Sequence, residues 1–198
     1  MNEQRTTWTV LQHSHAALRS AIQGVPDGSW TAPTPCEAWN VTQVLQHAAG
    51  DQQGYAAVLT GGGFPTEDPF APSGRLAGSA VDLLEGALAA AEAAVGAVEP
   101  GETAVAVPLP GGPFPAEIAV GACSLDAAVH AWDISVATGQ PSPVDEALAA
   151  ELLPVARAIV EPLRGFAYAP ALPADSSDGA LEELLRYLGR DPRWTPAG

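Results

Sequence analysis

The sequence predicts an all-α protein: a four-helix bundle with a small β-hairpin between helices three and four and a short C-terminal α/β extension. Three observations predict it. Long Ala/Leu-rich amphipathic stretches alternate with Pro/Gly-rich breaks, the pattern of helices joined by loops. At 198 residues and 47% hydrophobic content, the chain can bury one good core. His47 and His130 fall inside two of the helical stretches, and bundles build their sites from side chains on facing helices.

The first helix is expected over about 7–23, with Leu11, Leu18 and Ile22 on one stripe, and Gly24-Val25-Pro26-Asp27-Gly28 stops it. The second begins after Asn40, where Gln43 three residues later completes a capping-box pattern, and runs to about Thr60 before three glycines. A Pro/Gly-rich loop follows to about Gly74, and such a loop is either disordered or a lid over a site. The third helix spans about 76–98, and its alanine content suits close helix packing. Residues 103–109 and 112–118 flank a Pro-Gly-Gly turn and read as a proline-marked hairpin. The fourth helix, about 115–138, ends at Gly139 with Pro141 beyond it. Ser142 and Pro143 then restart a helix as cap and first residue, and Pro154 should kink it. An extended piece over about 166–172 and a last helix over about 178–188 complete the chain. Residues 1–140 are expected to form the bundle and 141–198 an extension packed on it.

Composition excludes several function classes. Eight basic residues, all arginine, face 23 acidic ones for a net charge of −15, so the cationic field that phosphate backbones require is missing. No apolar run approaches the ~20 residues that span a bilayer. The start, Met1-Asn2-Glu3-Gln4-Arg5, leads into a polar helix rather than a signal sequence, so the expected location is the cytoplasm. Cys36 and Cys123 are too few for a disulfide framework and read as reduced thiols, with Cys36 packing the loop before helix two.

Asp126, His130 and Asp133 stand at i, i+4 and i+7, so their side chains leave one helix face a turn apart. Imidazole and carboxylate suit zinc and its first-row neighbours, and two histidines with one carboxylate leave a coordination position open. His15, on the apolar stripe of helix one, reads as a core histidine or as a further ligand that would close the site, whereas His13 points to water. Trp39 and Trp132 flank the two turns and read as packing between helices two and four. Arg75, Arg157, Arg164 and Arg190 are the candidate anchors for a polar cofactor or anionic substrate, with surface ion pairing as the plainer role for each.

Several runs occur in a fixed order: Pro33-Thr34-Pro35-Cys36-Glu37-Ala38-Trp39-Asn40-Val41, His47 six residues on, Asp126-Ala127-Ala128-Val129-His130-Ala131-Trp132-Asp133 with Ala137-Thr138-Gly139, and Leu188-Gly189-Arg190-Asp191-Pro192-Arg193-Trp194. Together they resemble the mycothiol-dependent maleylpyruvate isomerase-like branch of the DinB/YfiT superfamily over nearly the whole chain. The resemblance implies a DinB-like bundle in which one metal ligand comes from helix two and two from helix four, here His47, Asp126 and His130. Relatives often carry glutamate or histidine at the Asp126 position, so the shorter aspartate can ligate directly or act through water. Asp133 is then the group that orients a histidine.

The resemblance further implies a divalent metal, zinc before nickel or manganese, and mycothiol as co-substrate, its thiol activated for isomerisation or transfer to a small electrophile. No catalytic residue beyond the ligands is assigned. Two other readings stand beside this one: a non-catalytic metal-binding scaffold or sensor, and a metal-dependent hydrolase. The expected partners are a small thiol and an electrophile, with no nucleic acid and no membrane, acting on a monomer or homodimer.

Overall fold

The computed structural model describes residues 7–196, so the expected lead-in at residues 1–5 lies outside the described residues. Six α-helices form among them: α1 (Thr9–Gln23), α2 (Val41–Thr60), α3 (Ala80–Val95), α4 (Ala116–Ala137), α5 (Glu146–Ile159) and α6 (Ala180–Tyr187). α1 packs on α4, α4 on α2, α2 on α3 and α3 on α1, which closes a four-helix bundle; α5 lies against α4 and carries α6. No helix among the described residues is long and apolar enough to cross a membrane.

Each outer helix of the bundle buries one stripe. Leu11, Leu18 and Ile22 of α1 and Leu84, Leu88, Ala91 and Val95 of α3 turn inward at the spacings of three, four and seven that a helix face requires. α4 differs, because almost its whole surface is buried, between α1 and α2 on one side and α5 on the other. Its Asp126, His130 and Asp133 are therefore polar groups in an interior, and each must find a partner there. Leu18, Leu45, Leu84, Leu88 and Ile134 fill the space between the bundle helices, where truncation of one leucine to alanine costs about 2–5 kcal/mol.

The two expected β elements do not form. Among the described residues there are isolated bridges but no strand. Val105 and Phe114 exchange two backbone hydrogen bonds, at 2.8 and 3.0 Å, and the pairing stops there. Pro108, Pro110, Pro113 and Pro115 lack the N–H groups that a longer ladder needs. In the C-terminal segment, the expected extended piece over 166–172 is a set of turns on Leu163, with one isolated bridge from Tyr168 to Arg164 and a hydrogen bond from the Leu172 N–H to the Arg186 carbonyl at 2.9 Å. The extension is thus helix and loop rather than α/β.

Boundaries shift where a capping side chain lies further on than expected. α3 starts at Ala80, because the Ser79 hydroxyl accepts from the Asp82 N–H, whereas Pro- and Gly-bearing residues before it stay in the loop. α5 starts at Glu146 under an Asp145 cap, 2.8 Å from the Leu148 N–H, while Ser142 and Pro143 only turn the chain. Pro154 does not interrupt α5, which continues through it with the ring on the exposed side. At the start of α2 the capping box forms as expected, with Asn40 and Gln43 exchanging hydrogen bonds at 3.0 and 3.1 Å.

The loop between α2 and α3 is ordered along α2. Gln43 donates to the Pro72 carbonyl, Gln46 bridges Gly74 and Arg75, and His47 holds the Pro69 carbonyl. A Cβ on Gly50 would lie 2.8 Å from Pro69 Cβ, so a glycine there lets the loop settle beside the site.

Candidate metal centre and its cavity

His47 on α2 and His130 on α4 meet edge to face, with ring centroids 4.8 Å apart. One donor atom from each of His47, Asp126 and His130 lies within 4.8 Å of the other two, and all three side chains are buried. Nδ1 of His47 is 2.9 Å from the Pro69 carbonyl, which can only accept, so this nitrogen carries the proton. Nδ1 of His130 is 3.1 Å from the Asp133 carboxylate and is protonated for the same reason. Both rings therefore turn Nε2 to the interior, 3.7 Å from Asp51 and 3.5 Å from Asp126 respectively, and burial keeps His130 neutral at neutral pH. Donor atoms of a tetrahedral zinc site sit about 3.4 Å apart, so the chemistry and spacing of this set fit such an ion.

Asp51, one helical turn after His47, was not singled out in the sequence although H-x-x-x-D is legible there. It hydrogen-bonds Asp126, which requires the two carboxyls to share a proton. Burial and then the Asp51 charge push Asp126 well above the usual carboxylate range; burial also raises Asp51, with His47 opposing. Gln52 fixes the other side of Asp126, donating to it at 3.3 Å and to the Cys123 carbonyl at 3.0 Å. His15 stands behind Gln52, with Nε2 2.9 Å from the amide oxygen and Nδ1 3.0 Å from Glu92. It supports the wall of the site and is not among the converging donors.

Asp133 faces the opposite way. Arg190 donates to both of its oxygens at 3.0 Å, Cys36 donates at 3.1 Å, and the carboxylate has no exposure. Burial alone would raise its pKa, but the guanidinium and the His130 N–H hold it well below the usual range. Burial pushes His130 down to about 4; Asp133 opposes and the neighbouring His47 adds to the depression. Burial and Asp133 push the Cys36 thiol up, so it is not a ready nucleophile. Cys36, His130 and Asp133 also bring donor atoms within 4.8 Å of one another. That second cluster already holds a cation, since Arg190 lies 3.0 Å from Asp133 and 3.4 Å from the Cys36 sulfur.

Of the four arginines considered, only Arg190 reaches the site. Gly189, at φ +78°, turns the chain against Ala169 so that Arg190 points at Asp133. Arg157 pairs with Glu183, Arg164 pairs with Glu161, and exposed Arg75 does not line the cavity. Trp39 stacks on His47, with centroids 4.5 Å apart, and so braces a site ring, whereas Trp132 is a core residue. The converging donors open onto a cavity of about 1160 Å³, roofed by the α2–α3 loop and by the turns after α5.

The model of one protein family, the mycothiol maleylpyruvate isomerase N-terminal domain, matches residues 11–135, which include His47, Asp126, His130 and Asp133. Two proteins of Mycobacterium tuberculosis, one from strain CDC 1551 / Oshkosh and one from strain H37Rv, are each 30% identical to the chain over 185 residues. The alignments cover 92% of this chain and 96% of theirs, and both are described only as uncharacterized proteins. No solved structure matches.

Proposed function

The chain belongs to the mycothiol maleylpyruvate isomerase N-terminal domain family, and from that membership we propose that it is a divalent-metal-dependent enzyme acting with the thiol mycothiol. His47, Asp126 and His130 hold the ion, with Asp126 ligating directly, and the activated thiol adds to a small electrophile, either leaving again once it is isomerised or staying attached as the transfer product. The observation that carries this reading is the pair of Nε2 atoms converging with Asp126 on one cavity, each ring's other nitrogen being engaged on its far side. Two nitrogens and a carboxylate suit zinc best, ahead of nickel and manganese.

When bound there, the ion lowers the pKa of a thiol and supplies a thiolate at neutral pH. The protein's own groups do the rest. Asp133, fixed by Arg190, holds His130 in the tautomer that ligates, and the Pro69 carbonyl does the same for His47. Asp51, 3.7 Å from Nε2 of His47, is the carboxylate outside the ligand set on the side of the converging donors and accepts the proton that the thiol gives up. The loop along α2 and the turns after α5 shelter the nucleophile from water. A cytoplasmic location, where small thiols stay reduced, goes with this chemistry.

Elemental analysis of metal-reconstituted protein should find about one ion per protomer, and His47→Ala or His130→Ala should abolish stoichiometric binding. Calorimetry should then detect mycothiol binding only to the metal-loaded wild type. Full occupancy in both variants would refute the ligand assignment. Metal bound without any thiol binding would leave a metal-binding scaffold in place of an enzyme.

A further inference from the structure

The cavity wall is unusual in two respects that point to the second substrate. Among the described residues, four large apolar side chains are strongly exposed, and three of them, Phe64 (64%), Phe70 (50%) and Phe166 (75%), line this one cavity. Phe70 links the rim to the centre: its ring centroid is 5.4 Å from that of Phe166 and 5.6 Å from that of His47, which in turn stacks on Trp39. Exposed aromatic surface gathered at the mouth of one cavity is the mark of an apolar ligand site.

Charge sharpens the point. The lining carries the carboxylates Glu37, Asp51, Glu67, Asp68 and Asp126, and a single cation, Arg190. Nε and Nη2 of that guanidinium are engaged with Asp133 and Nη1 donates to the Leu188 carbonyl, so it offers no free fork to a substrate carboxylate. A divalent ion at the centre does not reverse the balance, because Asp126 and the incoming thiolate neutralise it while Glu37, Glu67 and Asp68 remain on the wall. A small dicarboxylate would meet like charges throughout the cavity, at a cost that nothing on the wall offsets.

We propose that the electrophile is an uncharged aromatic compound, held between Phe70 and Phe166 with its reactive carbon toward His47 and His130, and that the site rejects small dicarboxylates. The proposal rests on the thiol-activating reading and names its second substrate class. With an aryl halide, the sulfur–carbon bond forms as the carbon–halogen bond breaks. The halide leaves with the bonding pair, and the thiol's proton passes to Asp51 and then to solvent.

The test uses two ligands of one shape and different charge, 2-naphthamide and 2-naphthoate, together with maleate, titrated calorimetrically into the metal-loaded and the metal-free chain. The amide should bind at least tenfold more tightly than the naphthoate in both forms, and maleate should not bind measurably. Phe70→Ser with Phe166→Ser should weaken the amide at least tenfold while metal stoichiometry stays at one. Naphthoate or maleate binding as tightly as the amide would overturn the proposal, as would an unchanged amide affinity in the double variant. Amide selectivity does not depend on metal or mycothiol, so it persists if the thiol reading fails. Conversely, lost selectivity with intact metal and mycothiol binding would refute the substrate class alone.

Discussion

His130 stands between two clusters, each of which brings an aspartate to one of its ring nitrogens. On its Nε2 side are Asp126, His47 and, one hydrogen bond further, Asp51; on its Nδ1 side are Asp133, Cys36 and Arg190. Each, counting His130, brings three ligand-bearing side chains within 4.8 Å. They differ in charge. The Nδ1 side has a permanent cation, because a guanidinium does not deprotonate in a protein, and Asp133 accordingly stays ionised. On the Nε2 side buried Asp126 and half-buried Asp51 crowd together with their pKa values raised. Proximity of ligand types therefore does not by itself identify a metal centre. The difference lies in whether the protein already supplies the balancing charge, and only the Nε2 side lacks a resident cation.

The largest test of this contrast removes the resident cation. Arg190→Ala leaves Asp133 as a buried charge without its partner, and breaking such a pair costs about 3–5 kcal/mol. Because Asp133 then holds His130 less firmly, metal affinity should also fall about 10–100-fold. Urea unfolding of the metal-free protein and metal calorimetry read the two effects separately. If stability falls and metal affinity does not, Arg190 is structural only and the chain from Arg190 through Asp133 to His130 is not what orients the ligand.

Acid tests the same contrast. The His130 pKa is about 4 in the metal-free fold against about 6.5 in an unfolded chain, so the unfolded state binds this proton first as pH falls. Its contribution to stability is intact above about pH 6.5 and is lost progressively down to about pH 4, amounting to about 3 kcal/mol. Asp126 works in the other direction: its raised pKa means that the metal-free fold loses stability as pH climbs through that value. Metal-free wild type should therefore lose about 3 kcal/mol relative to His130→Gln between pH 6.5 and pH 4. Parallel stability curves for the two proteins would show that His130 is not held neutral by burial.

A smaller effect isolates the proton shared on the Nε2 side. Metal binding displaces that proton, and Asp51→Asn removes the charge that helps keep it on Asp126. Calorimetry in buffers of different ionisation enthalpy should find up to about one proton fewer released per metal in the variant near neutral pH. Equal release would mean that Asp51 and Asp126 do not titrate together.

What was legible in the sequence follows from how local each determinant is. The shared face of Asp126, His130 and Asp133 needs only helix periodicity, and the start of α2 needs only Asn40 and Gln43, so both could be read in a few residues. The hairpin was misread because alternating Val and Ala over 103–107 resembles a strand locally, whereas the four prolines that follow decide how far a ladder extends. Arg190 lies 57 residues from Asp133, and four arginines were equally plausible by sequence; only the turn at Gly189 selects one. Asp51 was visible one turn after His47, yet its contact with Asp126 crosses from α2 to α4 and depends on helix packing that no local pattern encodes.

The smallest effect expected is the one that separates the two clusters most cleanly. Cys36 donates to Asp133 at 3.1 Å, and a serine hydroxyl in its place keeps a donor in nearly the same position. If the Nδ1 side is balanced by Arg190, Cys36→Ser should change stability by about 1 kcal/mol or less and leave metal stoichiometry and affinity unaltered. Protein loaded with cobalt(II) in the absence of mycothiol gives a second readout, since a thiolate ligand produces a sulfur-to-cobalt charge-transfer band in the near ultraviolet and imidazole with carboxylate does not. Wild type should lack that band, because Asp133 and burial keep the Cys36 thiol protonated while the ion lies on the other face of His130. A charge-transfer band in wild type that disappears in Cys36→Ser, together with a large loss of affinity, would move the ion to the Arg190 side and reverse the charge argument.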